Sequence, residues 1–299
     1  MLWILRLALL GGLVVVSGLW LTRARSVDAS MLSGLDADTS NGARVFAAMG
    51  CASCHKPTDA DTTGNDAPIL AGGKSFVTPF GTFMAPNISS DPTHGLGGWS
   101  DQQIASAVLK GTAPDGTHYY PAFPYASYAK TTPQDIVDLI AHLRTLPADP
   151  TPSQPHMLSF PFNIRVSLGG WKLLFADAHG PSQPLLNLTQ EEEQGRYLVE
   201  VLGHCAECHT PRNRLGGMER ARWLAGAPNP SGKGNIPNIT PAALDWSVGD
   251  IAEYLSSGFT PEFDTAGGSM AEVIENTARL TDADRLAIAA YLKRVPAVQ

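Results

Sequence analysis

Cys51 and Cys54, and again Cys205 and Cys208, stand three positions apart, and each pair runs directly into a histidine, His55 and His209. Two thiols at this spacing meet the two vinyl groups of a haem, and the imidazole that follows falls beneath the iron. C-x-x-C-H at the end of a helix therefore supplies both covalent attachment and a proximal ligand. Two disulfides in an exported chain, or one zinc in a cytosolic chain, are the competing uses of four cysteines. Both leave His55 and His209 unexplained. The sequence predicts two covalent haem c groups with their iron: Cys51, Cys54 and His55 for the first, Cys205, Cys208 and His209 for the second.

The elements that must position these residues are written twice along the chain. NGARVFAAMGCASCHKP (41–57) matches EQGRYLVEVLGHCAECHTP (193–211), each an apolar-periodic helix entering the motif. APNISSD (85–91) matches IPNITPA (236–242), and WSDQQIASAVLKG (99–111) matches WSVGDIAEYLSSG (246–258), with serine suited to an N-cap and glycine to a C-cap. TPQDIVDLIAHLRTLPA (132–148) matches TDADRLAIAAYLKRVPA (281–297), a capped helix closed by proline. Each half reads as helix, motif, loop, helix, loop, terminal helix, and nothing in either half alternates as a sheet. The fold class predicted is mainly α, with units at 36–148 and 186–299.

The sixth iron ligand is expected from the loop before each terminal helix. In the second half GGSMAEV presents Met270 there, 12 residues after Gly258. Thioether ligation favours reduced iron and raises the potential. The same count from Gly111 reaches Phe123, which has no donor atom. His118, on the same loop, is the leading candidate for the first iron, with a surface or propionate-bonded histidine as the alternative. Met84 is a second candidate, with ordinary packing against it, and an open coordination position is the third possibility. Arg212, in HTPR, suits a haem propionate because a guanidinium matches a carboxylate in bidentate fashion; a solvated arginine competes. Trp99 and Trp246 read as packing residues, and His142, His156 and His179 have no motif around them.

Residues 2–21 carry one charge, Arg6, and reach the length of a membrane-spanning helix. A cleaved signal peptide competes, but no clean small-x-small site follows, so residues 1–25 are expected to remain as an anchor. Arg23 and Arg25 oppose Arg6 under the positive-inside rule, so charge does not settle orientation. Thioether attachment in bacteria takes place outside the cytoplasmic membrane, which predicts a single inner-membrane anchor with the haem units in the periplasm. Residues 149–185 join the halves, proline-rich first and then apolar. Interrupted by Pro161, Asn163, Arg165 and Lys172, they read as a strap packed between the units rather than as a span or a docking surface. A net charge of -7 and the lack of a Lys/Arg run argue against nucleic acid as a partner.

CASCHKP, TPFGTFMAPNISSDPTHGLGGWSDQQIASAVLKGTAPDGTHYYPAFPYASY, CAECHTPRN and SMAEVIENTARLTDADRLAIAAYLKRVP resemble the cytochrome c subunits of membrane-bound periplasmic dehydrogenases of the alcohol or gluconate type. The resemblance covers the chain from residue 36 onward. It implies two tandem class-I-like cytochrome c domains and electron transfer from a dehydrogenase catalytic subunit to the respiratory chain, with a quinone, an oxidase or a soluble cytochrome as acceptor. Several such subunits carry three haem motifs where this chain has two. Where alcohol dehydrogenase subunits read YPAMPY, with Met as axial ligand, this chain reads Tyr120-Pro121-Ala122-Phe123-Pro124-Tyr125. The resulting expectation is a non-catalytic electron carrier. The alternative is a haem enzyme whose weakly ligated first iron acts on peroxide or a sulfur compound, with His118 and Tyr120 as acid/base groups.

Overall fold

The computed structural model describes residues 2–57, 67–176, 182–230, 232 and 234–299; His179 lies outside them. The chain opens with helix α1 (Leu2–Leu21), the one helix among the described residues long and apolar enough to cross a membrane. The first repeat follows as α2 (Thr39–Ala48), α3 (Cys51–His55), strands β1 (Ser75–Thr78) and β2 (Gly81–Met84), α4 (Asp101–Lys110), α5 (Tyr125–Tyr128) and α6 (Pro133–Thr145). The connecting segment holds β3 (Met157–Leu158) and α7 (Leu168–Phe175). The second repeat runs through α8 (Gln190–Tyr197), α9 (Ala206–His209), β4 (Ala227–Pro228), β5 (Asn235–Ile236), α10 (Val248–Ser257), α11 (Ser269–Thr277) and α12 (Asp282–Leu292).

Helix boundaries follow local chemistry. Ser100 and Ser247 form capping boxes with Gln103 and Asp250 at the starts of α4 and α10, and Gly111 and Gly258 close them in the left-handed conformation. Thr132 and Thr281 cap the terminal helices α6 and α12. The absence of strands expected from the sequence is corrected by a small antiparallel sheet, β1-β2-β3, and by the pair β4-β5. These strands are two to four residues long, too short for alternation to register, and β3 comes from the connecting segment.

In each half the first and last helices cross at a glycine. A Cβ on Gly42 would stand 2.0 Å from the Asp138 carbonyl oxygen, and one on Gly195 1.8 Å from that of Ala287. Asp138 and Ala287 occupy the same place, six residues beyond the capping threonine of each terminal helix. The two halves differ by one residue between this glycine and the haem motif, nine positions from Gly42 to Cys51 against ten from Gly195 to Cys205. The extra residue is absorbed in a π-turn over Leu198–Leu202, where Gly203 N–H reaches the Leu198 carbonyl at 2.7 Å.

The halves share one apolar core, which runs from Val45, Phe46, Leu139 and Leu143 through Leu198, Leu202 and Trp223 to Ile251, Ile288 and Tyr291. A second cluster ties the segment after α1 to the first half, with Val27 packed among Ile104, Leu109, Ile136 and Ile140.

Gly42→Ala and Gly195→Ala each place a methyl inside a backbone carbonyl's contact distance, so each is expected to cost roughly 2 kcal/mol or more by forcing the helices apart. Gly170→Ala, whose Cβ would meet nothing within 4 Å, serves as the control. Denaturant midpoints that fail to separate the two crossing variants from the control would contradict the crossing geometry.

Candidate haem sites and the surface between them

The two histidines of the motifs are held in the same way. His55 Nδ1 lies 2.8 Å from the Pro86 carbonyl oxygen, and His209 Nδ1 lies 2.8 Å from that of Pro237. A carbonyl is an acceptor only, so each ring donates from Nδ1 and keeps the Nε2 lone pair for a metal. Burial lowers the pKa of both rings, which favours the neutral form an iron ligand requires. The next residue of each segment fixes the carbonyl in place. Asn87 Nδ2 donates to the Asp149 and Thr151 carbonyls, and Asn238 Nδ2 donates to that of Val298, each tying the segment to the chain beyond its terminal helix. Gly72 and Gly226 N–H groups donate to the His55 and His209 carbonyls at 2.7 Å, completing the same cradle twice.

No disulfide joins the four cysteines. Burial pushes Cys51 and Cys205 up to about 12. A further fit to haem comes from Trp223, buried beside the second motif, whose Nε1–H has no hydrogen-bond partner. Leaving such a donor unpaired costs about 1–3 kcal/mol, and a haem carboxylate is a group that would satisfy it. The residues present thus fit a covalently attached haem in both halves.

Met270 is the second residue of helix α11 and half-buried against the shared core, where a loop position was expected. The structure aligns it with Phe123. Tyr119 N–H bonds the Gly111 carbonyl at 2.7 Å and Ala266 N–H bonds that of Gly258 at 2.8 Å, so the two loops leave their capping glycines in one register. Phe123 sits among Tyr119, Tyr125 and Tyr128, with ring centroids 5.8 to 6.4 Å away. His118 is directed to the chain leaving α1: its Nε2 is 2.9 Å from the Thr22 carbonyl oxygen, and its buried Nδ1 has no partner. Met84 is buried at the end of β2, its N–H on His156 Nδ1 at 3.1 Å. Arg212 forms an ion pair with Glu207 and donates to the Gly216 carbonyl at 2.7 Å.

The two motifs meet across reciprocal contacts. Arg44, on α2, donates to Asp284 through Nε at 2.8 Å and Nη2 at 2.5 Å. Tyr197, at the equivalent place on α8, donates through its hydroxyl to Asp135 at 2.6 Å, and Asp135 is the counterpart of Asp284. Each third residue of the C-x-x-C repeats the exchange. Ser53 accepts from Asn276 on α11 at 2.6 Å, and Glu207 accepts from Ser127 on α5 at 2.9 Å. Position i of one half touching j of the other, with the exchange reversed, is the signature of a two-fold arrangement. Lys74 adds a bridge to Glu272 at 2.6 Å. Burial raises the Cys54 thiol to about 11, and the pull of Lys74 is opposed by the charges of Glu272 and Cys208.

Tandem helical units, each offering two thiols and an oriented imidazole, are the scaffold of a c-type cytochrome. The sequence model of the cytochrome c family matches residues 39–147 and 193–296, and the chain belongs to that family. It is 57% identical over 301 residues to a "Diheme cytochrome c-type" protein of Cereibacter sphaeroides, covering 99% of this chain and 100% of the relative. It is 38% identical to the fructose dehydrogenase cytochrome subunit of Gluconobacter japonicus, covering 92% of this chain and 56% of that one. Identity to the alcohol dehydrogenase (quinone) cytochrome c subunit of Gluconacetobacter polyoxogenes is 34%, covering 88% and 58%. The chain thus spans the whole of the dihaem relative and somewhat more than half of these dehydrogenase subunits.

Sequence reasoning found the thiols and imidazoles, and missed the Pro86 and Pro237 carbonyls, Trp223 and the Arg44/Tyr197 exchange. The matched APN and IPN segments were a usable signal for the prolines; the rest depends on the packing of the halves.

Burial alone would raise Asp284, but Arg44 holds it below the usual carboxylate value. A depressed folded pKa gives stability that is present above the unfolded value and lost as pH falls through the folded one. Asp284→Asn is expected to lower stability by about 2 kcal/mol at neutral pH, with the deficit against wild type vanishing in strong acid. A deficit that is unchanged down to acid pH would contradict this account.

Proposed function

We propose that this chain is a membrane-anchored dihaem electron carrier that serves as the cytochrome subunit of a periplasmic dehydrogenase and passes electrons to the respiratory chain. The carrying observation is that two halves meeting across a reciprocal surface each present a C-x-x-C pair beside an imidazole oriented by a proline carbonyl. When bound, each haem supplies a one-electron iron couple. Cys51 and Cys54 attach the first and Cys205 and Cys208 the second. His55 and His209, oriented by Pro86 and Pro237, would each offer Nε2 to an iron.

Met270 is proposed as the sixth ligand of the second iron. For the first iron, Phe123 supplies no donor at the matching place and His118 is directed towards Thr22 and Gly169, on the side of α1 and α7, which favours a weakly ligated or five-coordinate centre. A thioether from Met270 would raise the potential of the second iron. The relatives named as cytochrome subunits of fructose and alcohol dehydrogenases support a dehydrogenase as donor. Helix α1, apolar over Trp3–Leu21, supports anchoring in the inner membrane, with covalent attachment requiring the periplasmic side.

Potentiometric titration of the purified full chain is expected to show two waves, with Met270→His lowering the higher one and leaving the lower in place. Carbon monoxide is expected to bind one haem per chain. A single wave of one potential, or two waves both indifferent to Met270→His, would overturn the proposal.

A further inference from the structure

Helix α1 is not joined to the globular body by a slack tether. Thr22, the residue after it, offers its carbonyl to His118 Nε2 at 2.9 Å, the Arg25 carbonyl accepts from Thr112 Oγ1 at 2.9 Å, and the buried Val27 donates its N–H to Ser106 Oγ at 3.1 Å. Three bonds within six residues fix the direction in which the membrane helix leaves the first half. The same Thr22 touches α7: a Cβ on Gly169 would stand 2.0 Å from the Thr22 carbonyl oxygen. Whatever surface α7 exposes therefore lies at the level where α1 leaves the bilayer.

That surface is apolar. Phe160 is 78% exposed, Leu174 69%, Leu173 62% and Val166 57%, with Phe162 and Ile164 open as well. Scattered exposed apolar residues are ordinary, but six within 15 positions are not. The sequence has no acidic residue between Asp149 and Asp177, in a chain with 28 acidic against 21 basic residues. Arg165 and Lys172 lie within this stretch, and Arg23 and Arg25 flank the exit of α1. Arg23 stacks over Trp20, 4.8 Å from the ring centroid, at the end of α1. A segment of aromatic and aliphatic side chains that includes cations and has no acidic residue of its own has the composition of one lying in the plane of an anionic bilayer.

We propose that residues 160–175 form a monotopic foot: Phe160, Phe162, Ile164, Val166, Leu173 and Leu174 enter the headgroup and acyl boundary beside α1 and hold the haem units against the membrane at a fixed tilt. The foot rests on the reading of α1 as a membrane span. It also braces the loop before the first terminal helix, because Lys172 Nζ donates to the Lys110 and Gly111 carbonyls at 2.6 and 2.7 Å and Trp171 stands edge-on to Tyr125 at 6.4 Å. The first half is thereby the one set closer to the lipid.

The test is photolabelling of the full-length haem-loaded chain in nanodiscs of phosphatidylcholine and phosphatidylglycerol, with a diazirine at the headgroup and acyl boundary and labelled residues mapped by mass spectrometry. Labelling is expected in α1 and in 160–175. Replacing Leu173→Glu and Leu174→Glu together should cut labelling of 160–175 about tenfold while α1 labelling and haem content stay unchanged. Labelling confined to α1 would overturn the foot and leave the anchor standing, whereas loss of α1 labelling would overturn the anchor itself. Foot labelling indifferent to the paired glutamates, or cross-links joining two copies through 160–175 without lipid adducts, would also overturn the foot.

Discussion

Arg44 reaching Asp284 while Tyr197 reaches Asp135 is the constraint on which the rest of the molecule turns. Each bond runs from the helix that leads into one haem motif to the capped start of the other half's terminal helix. Neither motif helix is long enough to be stable alone: α3 has five residues and α9 four. They are held because the helix before each is clamped twice, once by its own terminal helix at Gly42 or Gly195 and once by the opposite half. The shared apolar core is the other consequence, since two halves meeting along their motif helices bury Val45, Leu139, Leu198 and Leu202 in one cluster.

The repeat made much of this legible. Two thiols and an imidazole at fixed spacing can be read from sequence because the chemistry is local, and the capping residues Ser100, Thr132, Ser247 and Thr281 can be read because their bonds span three residues. What could not be read depends on distant partners. The π-turn at Leu198–Leu202 is visible in sequence as a one-residue mismatch, yet nothing local says that a helix rather than a loop absorbs it. The strands are too short to alternate. Residue type singled out His118 and Arg212, and the structure shows where each is directed: His118 to Thr22 and Arg212 to Glu207.

The halves are alike in scaffold and different in detail. Both orient a histidine through a proline carbonyl and pin that segment with an asparagine. They part at the distal loop, where one register position holds Met270 in the second half and Phe123, in a cluster of three tyrosines, in the first. The duplicated halves thus keep the cradle of the motif histidine and differ at the distal loop.

The central claim is that the reciprocal surface holds the two motif-bearing halves, and with them two covalent haems, in one fixed relation. Circular dichroism of the Soret band tests it most directly, because two porphyrins held close in a fixed orientation couple and split the band. The oxidised full chain is predicted to give a bisignate Soret signal that collapses when Arg44→Met and Tyr197→Phe are combined, with haem content retained. A single-signed Soret band in wild type, unaltered by that pair of substitutions, would contradict the arrangement.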